Sequence, residues 1–153
     1  MPKIDIDTAP TRVGAGYPEP FRSRVGAMVR RQLGDAAGLT QFGVNLSTLE
    51  PGCVSSMRHW HEQEDELVYV IAGEVVLADD DGETVLRAGD AAGFKAGVAN
   101  GHHLVNRSGK PATFLEIGSR FASERAHYPD DDLAYHTDAG RARFTRKDGS
   151  AVE

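Results

Sequence analysis

Cysteine is almost missing from this chain: among its 153 residues only Cys53 is present, so no disulfide can form within one copy. That fits a reducing cytoplasm, where cytoplasmic residence is the expectation, and it excludes a small cross-linked secreted scaffold. Long apolar runs are missing too. The longest, "LVYVIAG", falls far short of a membrane span. The opening "MPKIDIDTAPTR" has no apolar stretch of the kind a secretion signal needs. There is no excess of positive charge: 17 basic against 23 acidic residues leave a net charge of −6. This argues against nucleic acid as a partner. The short basic runs "VRRQL" and "RARFTRK" read as solvated surface. With no internal repeat, and with 40% hydrophobic and 26% charged residues, one folded domain is expected.

Four regions can be told apart along the chain. Residues 1–20 are rich in Pro, Gly and Thr and read as an extended arm. A strand is expected near residues 25–33, before the turn-like "GDAAG". From 38 to 120, short β-prone runs alternate with Gly, Asp and Pro, with hairpin turns at Asp79–Gly82 and Arg107–Pro111. That spacing, with no long helix between the runs, predicts an all-β sandwich or barrel. Residues 121–153 are polar and turn-rich, and irregular structure packed on the barrel is expected there. The working division is therefore 1–37 for the arm and first strand, 38–120 for the barrel and 121–153 for the tail.

The chemistry concentrates in "HWHEQEDE", His59 to Glu66. On a strand, residues two apart share a face, so His59 and His61 project together while Arg58 and Trp60 point away. Glu66 opens the strand "ELVYVIAG" and shares a face with Val68 and Val70. A carboxylate on an apolar inward row needs a partner, and a metal ion is one. Glu62, Gln63, Glu64 and Asp65 read as a solvated turn. Downstream, "NGHHLVN" places His102, Leu104 and Asn106 on one face and His103 and Val105 on the other. A lone histidine is usually structural, and an acidic run is usually solvated. Four of the six histidines in two short strand clusters are a different matter, and they point to a metal site.

These segments resemble the cupin superfamily. Its first motif, G-x5-HxH-x3,4-E-x6-G, is matched by Gly52, six residues, His59 and His61, four residues, Glu66, six residues and Gly73. The second, G-x5-P-x-G-x2-H-x3-N, is matched more loosely. Lys95 stands at the proline position, four residues separate Gly97 from His102, and Asn106 closes the motif. The chain is also similar to small single-domain bacterial cupins described as sugar-phosphate isomerases.

The resemblance implies a jelly-roll barrel, a double-stranded β-helix, over roughly 38–120. It implies one divalent transition metal ion (Fe, Mn, Ni, Co or Zn) held by His59, His61, Glu66 and His102, with His103 as the alternative fourth ligand. It also implies a homodimer, for which the arm at 1–20 is a candidate exchange element. Three imidazoles and a carboxylate leave coordination positions open for a small-molecule substrate. Three activities are compatible with such a centre: Lewis-acid isomerase or lyase chemistry on a small polar metabolite, iron-dependent dioxygenation, or non-catalytic ligand binding. Of the other residues, Tyr69 and Cys53 read as structural, His127 and His136 have no partners at ligand spacing, and Lys95 is placed to reach a bound anion.

Overall fold

Strands form where β-branched and aromatic runs are bounded by Gly, Asp and Pro. The computed structural model describes residues 3–152. In chain order the strands are β1 (Thr11–Val13), β2 (Met28–Gln32), β3 (Phe42–Leu49), β4 (Trp60–His61), β5 (Glu66–Ala72), β6 (Glu74–Asp79) and β7 (Gly82–Arg87). They continue as β8 (Ala91–Phe94), β9 (His103–Val105), β10 (Ala112–Ser119), β11 (Ser123–His127), β12 (Ala134–Asp138) and β13 (Arg141–Thr145). A single helical turn, α1 (Leu33–Ala36), leads from β2 towards β3. Among the described residues no helix is long and apolar enough to cross a membrane.

The strands pair antiparallel in three sheets, ordered β1-β2-β3-β10-β5-β8, β13-β12-β11-β4 and β7-β6-β9. In the largest, β10 lies between β3 and β5, its neighbours in space but not in sequence. Isolated bridges Val54↔Val105 and His59↔His102 tie the segment before β4 to β9, closing the two faces on each other. The expected hairpin at Asp79–Gly82 joins β6 to β7, and Arg107–Pro111 connects β9 to β10. The sharp turn between β5 and β6 falls on Gly73, at φ 77°. A side chain there would meet the Pro111 carbonyl at 2.8 Å and the Ala112 backbone at 3.0 Å, so both conformation and space require glycine.

Two apolar clusters fill the interior. Met28, Leu49, Val68, Val70, Val75, Leu104 and Phe114 form the larger, with Cys53 packed at its edge as the small hydrophobe expected. Tyr17, Val25, Met57, Ala126, Tyr128 and Leu133 form the smaller, between the arm and the β11–β13 sheet. Val68 and Leu104 of the larger cluster also line a cavity, together with polar side chains such as His59, Glu66 and Glu116.

One expectation fails. Residues 121–153 are not irregular: β11, β12 and β13 form a meander that pairs through β11 with β4. The alternation in "SERAH" is real but disguised, because its buried positions are Glu124 and Ala126. The arm does run extended, and β1 within it pairs with β2 of its own chain.

Candidate metal centre

His59 leaves the loop before β4, His61 ends β4, Glu66 opens β5 and His102 lies one residue before β9. The His59↔His102 bridge joins two of these elements, and pairing of β5 with β10 fixes a third. The four side chains therefore come together from both faces of the barrel. His102 Nε2 lies 2.9 Å from Glu66 Oε2, His61 Nε2 3.5 Å from Glu66 Oε1, and His59 Nε2 3.8 Å from Glu66 Oε2. The rings of His61 and His102 each stand 5.0 Å from that of His59. Donor atoms of His59, His61 and Glu66 all lie within 4.8 Å of one another, so this trio could hold one ion.

The surroundings orient each ring. His59 Nδ1–H donates to the Met57 carbonyl at 2.8 Å, which leaves Nε2 as the nitrogen facing Glu66. His102 stacks on Phe94 with centroids 3.6 Å apart, and its Nδ1 is 3.4 Å from the Asn100 carbonyl. His61 Nδ1 is buried without a hydrogen-bond partner, and the nearest carboxylate, Glu64, is 4.0 Å away. An orphaned buried nitrogen beside a carboxylate is the kind of polar group that a cation or a small rotation would satisfy.

Charge is distributed unevenly among the four. Burial lowers the His59 pKa to about 4, so this imidazole is neutral at pH 7 and its Nε2 lone pair is available. Burial opposes the charged form of His61 as well, but Glu66, Glu124 and Glu64 outweigh it and raise its pKa. Burial also works against ionisation of Glu66. His102, His61 and His59 overcome it and hold the carboxyl well below the usual range. One anionic oxygen donor facing imidazole nitrogens fits a divalent transition metal.

The other candidates are placed elsewhere. His103 points away from Glu66 and hydrogen-bonds the Ser56 carbonyl through Nδ1 at 2.9 Å. Arg58 faces outward, as expected, to Asp80 and Asp130. Trp60 stacks on His127 at 4.3 Å, and His127 reaches Glu62 at 2.7 Å, a pairing the spacing of the tail does not reveal. Tyr69 is exposed, and Lys95 lines a cavity of about 270 Å³ that Glu66 and His102 line as well.

Two parts of the site escape the sequence. Glu64 and Asp65 are not simply solvated: Glu64 Oε1 accepts from the Phe121 N–H at 3.0 Å, and Asp65 Oδ1 from the Ala96 N–H at 2.8 Å. More important is Glu124, 3% exposed, whose carboxylate accepts the N–H groups of Glu62, at 3.0 Å, and Gln63, at 3.1 Å. It latches the turn between the two histidines and Glu66. A charged residue alternating with small ones was its only signal.

The family assignment follows from comparison. The Cupin domain model matches residues 45–118, a span that holds His59, His61, Glu66 and His102. A sugar phosphate isomerase from a cupin superfamily, from Silicibacter pomeroyi, is 48% identical; the match covers 99% of this chain and 97% of that one, with a TM-score of 0.95. The chain belongs to the cupin superfamily. This cupin is also similar to a proposed sugar phosphate isomerase of Acidithiobacillus ferrooxidans, at 29% identity, 83% and 81% coverage and a TM-score of 0.75. A protein of Thermotoga maritima, 20% identical with a TM-score of 0.62 over 78% of this chain and 99% of that one, shares the fold alone. No curated protein matches this cupin.

The centre opens on a cavity of about 520 Å³, within the range of small-molecule sites. Glu116 of β10 lines it, and inward pairing sets Glu116 opposite Val68, diagonal to Glu66. Arg30 Nε donates to Glu116 Oε2 at 3.1 Å and Ser47 Oγ donates to the same oxygen at 2.7 Å. Glu116 Oε1 takes no protein hydrogen bond among the described residues.

Proposed function

We propose that this cupin is a metal-dependent isomerase of a small polyhydroxylated carbonyl compound, with His59, His61, Glu66 and His102 holding one divalent transition metal ion. The observation that carries the reading is the His59, His61 and Glu66 cluster lining a cavity that also presents Glu116. The descriptions of the two more similar relatives point to the same reaction class.

When bound, the ion supplies Lewis-acid polarisation of the carbonyl and neighbouring hydroxyl oxygens. The protein supplies the rest. Glu66 provides the one negative charge among the ligands, and His59, neutral at pH 7, offers an imidazole with its tautomer set by Met57. Glu116, with Oε2 immobilised, acts as the base through its free Oε1. It takes the proton from the carbon that bears the hydroxyl next to the carbonyl. The C–H electron pair becomes the new carbon–carbon double bond, and the carbonyl oxygen takes up the charge. The proton on Glu116 exchanges with solvent before Glu116 delivers one to the former carbonyl carbon, while the hydroxyl proton passes to the former carbonyl oxygen. Atoms and electrons balance with no oxidant or reductant. The half-apolar wall of Val68, Phe94 and Leu104 limits water near the carboxylate.

The test has two parts. Protein purified without added metal should carry a transition metal ion close to one per chain, and a His59→Ala/His61→Ala variant should carry almost none. With a panel of aldose and ketose phosphates in deuterated water, the wild type should place solvent deuterium beside the carbonyl. A metal-free double variant with full activity would sink the proposal. Oxygen uptake that requires ferrous iron would replace isomerisation with oxygenation.

A further inference from the structure

β1 and β2 set two arginines side by side: Arg12 is the direct cross-strand partner of Arg30. Directly opposed residues share a face, and both arginines line the 520 Å³ cavity. Like charges in that arrangement destabilise a sheet unless something neutralises them. Arg30 is fully provided for. It pairs with Glu116 and donates to the Gly14 and Ser55 carbonyls, each at 3.1 Å. A third cavity-lining arginine, Arg120, pairs with Asp35 at 2.6 Å. Arg12 alone of the three makes no ion pair and no side-chain hydrogen bond among the described residues. Its guanidinium is laid across Gly16, where an added Cβ would come within 2.7 Å of Nη2. Glycine at that position leaves the guanidinium lying along the cavity wall.

We propose that Arg12 is an anion subsite that holds the phosphate of a phosphorylated substrate, with its reacting end over the histidine cluster. The proposal rests on the isomerase reading for the substrate's other end, but the anion site stands on its own geometry. The cavity lining carries Glu64 and Glu66 with the histidines and also Arg12, Arg30 and Glu116, and of these last three only Arg30 and Glu116 pair with each other. A dianionic tetrahedral group matches a guanidinium with free donors, because two parallel N–H···O bonds can form. The surplus cation would then be balanced only when substrate is present. A neutral sugar would leave it unpaired, so the cavity selects for phosphorylated substrates.

The experiment is a calorimetric titration of inorganic phosphate into the metal-free full chain at pH 7.5 and low salt. Chelation beforehand prevents phosphate from ligating an ion. One saturable site is expected. Arg12→Met should weaken it at least about tenfold, as loss of a charge-assisted pair of bonds requires. Arg12→Lys should restore part of the binding. Gly16→Val, which displaces the guanidinium but keeps its charge, should weaken it as well. Arg12 lies on an exposed edge strand, and unchanged thermal midpoints will show that the variants fold. Absence of phosphate binding by the wild type, unchanged binding by Arg12→Met, or equal binding of malonate would each overturn the assignment. The His59→Ala/His61→Ala variant should bind phosphate normally. Failure of the metal reading and failure of the anion site are thus separable.

Discussion

Glu66 and Glu116 lie on neighbouring strands of one sheet and face the same cavity, yet they keep different company. Glu66 is surrounded by three imidazoles, side chains that can stand as neutral ligands. Glu116 is held by a guanidinium and a hydroxyl, and the guanidinium never loses its charge. The first environment can stand neutral and make room for a cation. The second is neutralised permanently and leaves one oxygen free. One wall of the barrel therefore offers an exchangeable site, and the next strand offers a fixed one.

The comparison can be broken most severely at Glu66. Glu66→Gln removes the only anionic donor among the four, and metal affinity should fall by at least about a hundredfold, read as metal content after dialysis. Glu116→Gln should do the reverse: metal content should stay normal while turnover falls by about 10²–10⁴, the usual contribution of a positioned acid–base group. If both variants lose metal alike, the two carboxylates do not have separate tasks.

The difference in company also predicts a difference in pH response. Folded His59 titrates at about 4, below the ordinary value of 6.5. As pH falls from 6.5 to 4, the unfolded chain takes up a proton that the folded one refuses, so stability falls with pH across that window. The loss is up to about 3 kcal/mol in metal-free protein. His61 acts with the opposite sign, since its raised pKa adds stability that is lost as pH rises through the folded value. Urea midpoints at pH 7 and 4.5 should show a component that is missing in His59→Gln. Nothing comparable should come from Arg30. Arg30→Met strands the Glu116 charge and two backbone carbonyls at any pH. It should cost about 2 kcal/mol, less than a fully buried pair because both partners keep some exposure. Smallest of all, Arg107→Ala removes a fully exposed pairing with Glu83 and should leave the urea midpoint where it is.

Much of this was legible in the amino-acid order. Punctuation by Gly and Asp marked β5 to β7 and their turn, because a hairpin needs those residues whatever surrounds it. The two-residue spacing of His59 and His61 implied a common face, and the His102–Asn106 spacing separated His102 from His103. What stayed hidden depends on pairing over long distances. β11 buries a glutamate and an alanine, so no hydrophobic alternation announces it. Glu124 finds its partners, the N–H groups of Glu62 and Gln63, about sixty positions earlier in the chain. Arg12 and Arg30 are neighbours only because the arm folds back as β1. In each case the deciding contact is made by the fold, and no local pattern carries it.

The Glu124 latch has a consequence for how the protein is made. When the first 120 residues have left the ribosome, all four of the grouped side chains are already outside, but the carboxylate that clasps the turn between them is still being synthesised. The histidine floor is therefore expected to take its final shape only after β11 has emerged and paired with β4. Until then the growing chain holds the donors without their grip, and on the metal-dependent reading proposed above an ion would be taken up only late in the life of the nascent protein.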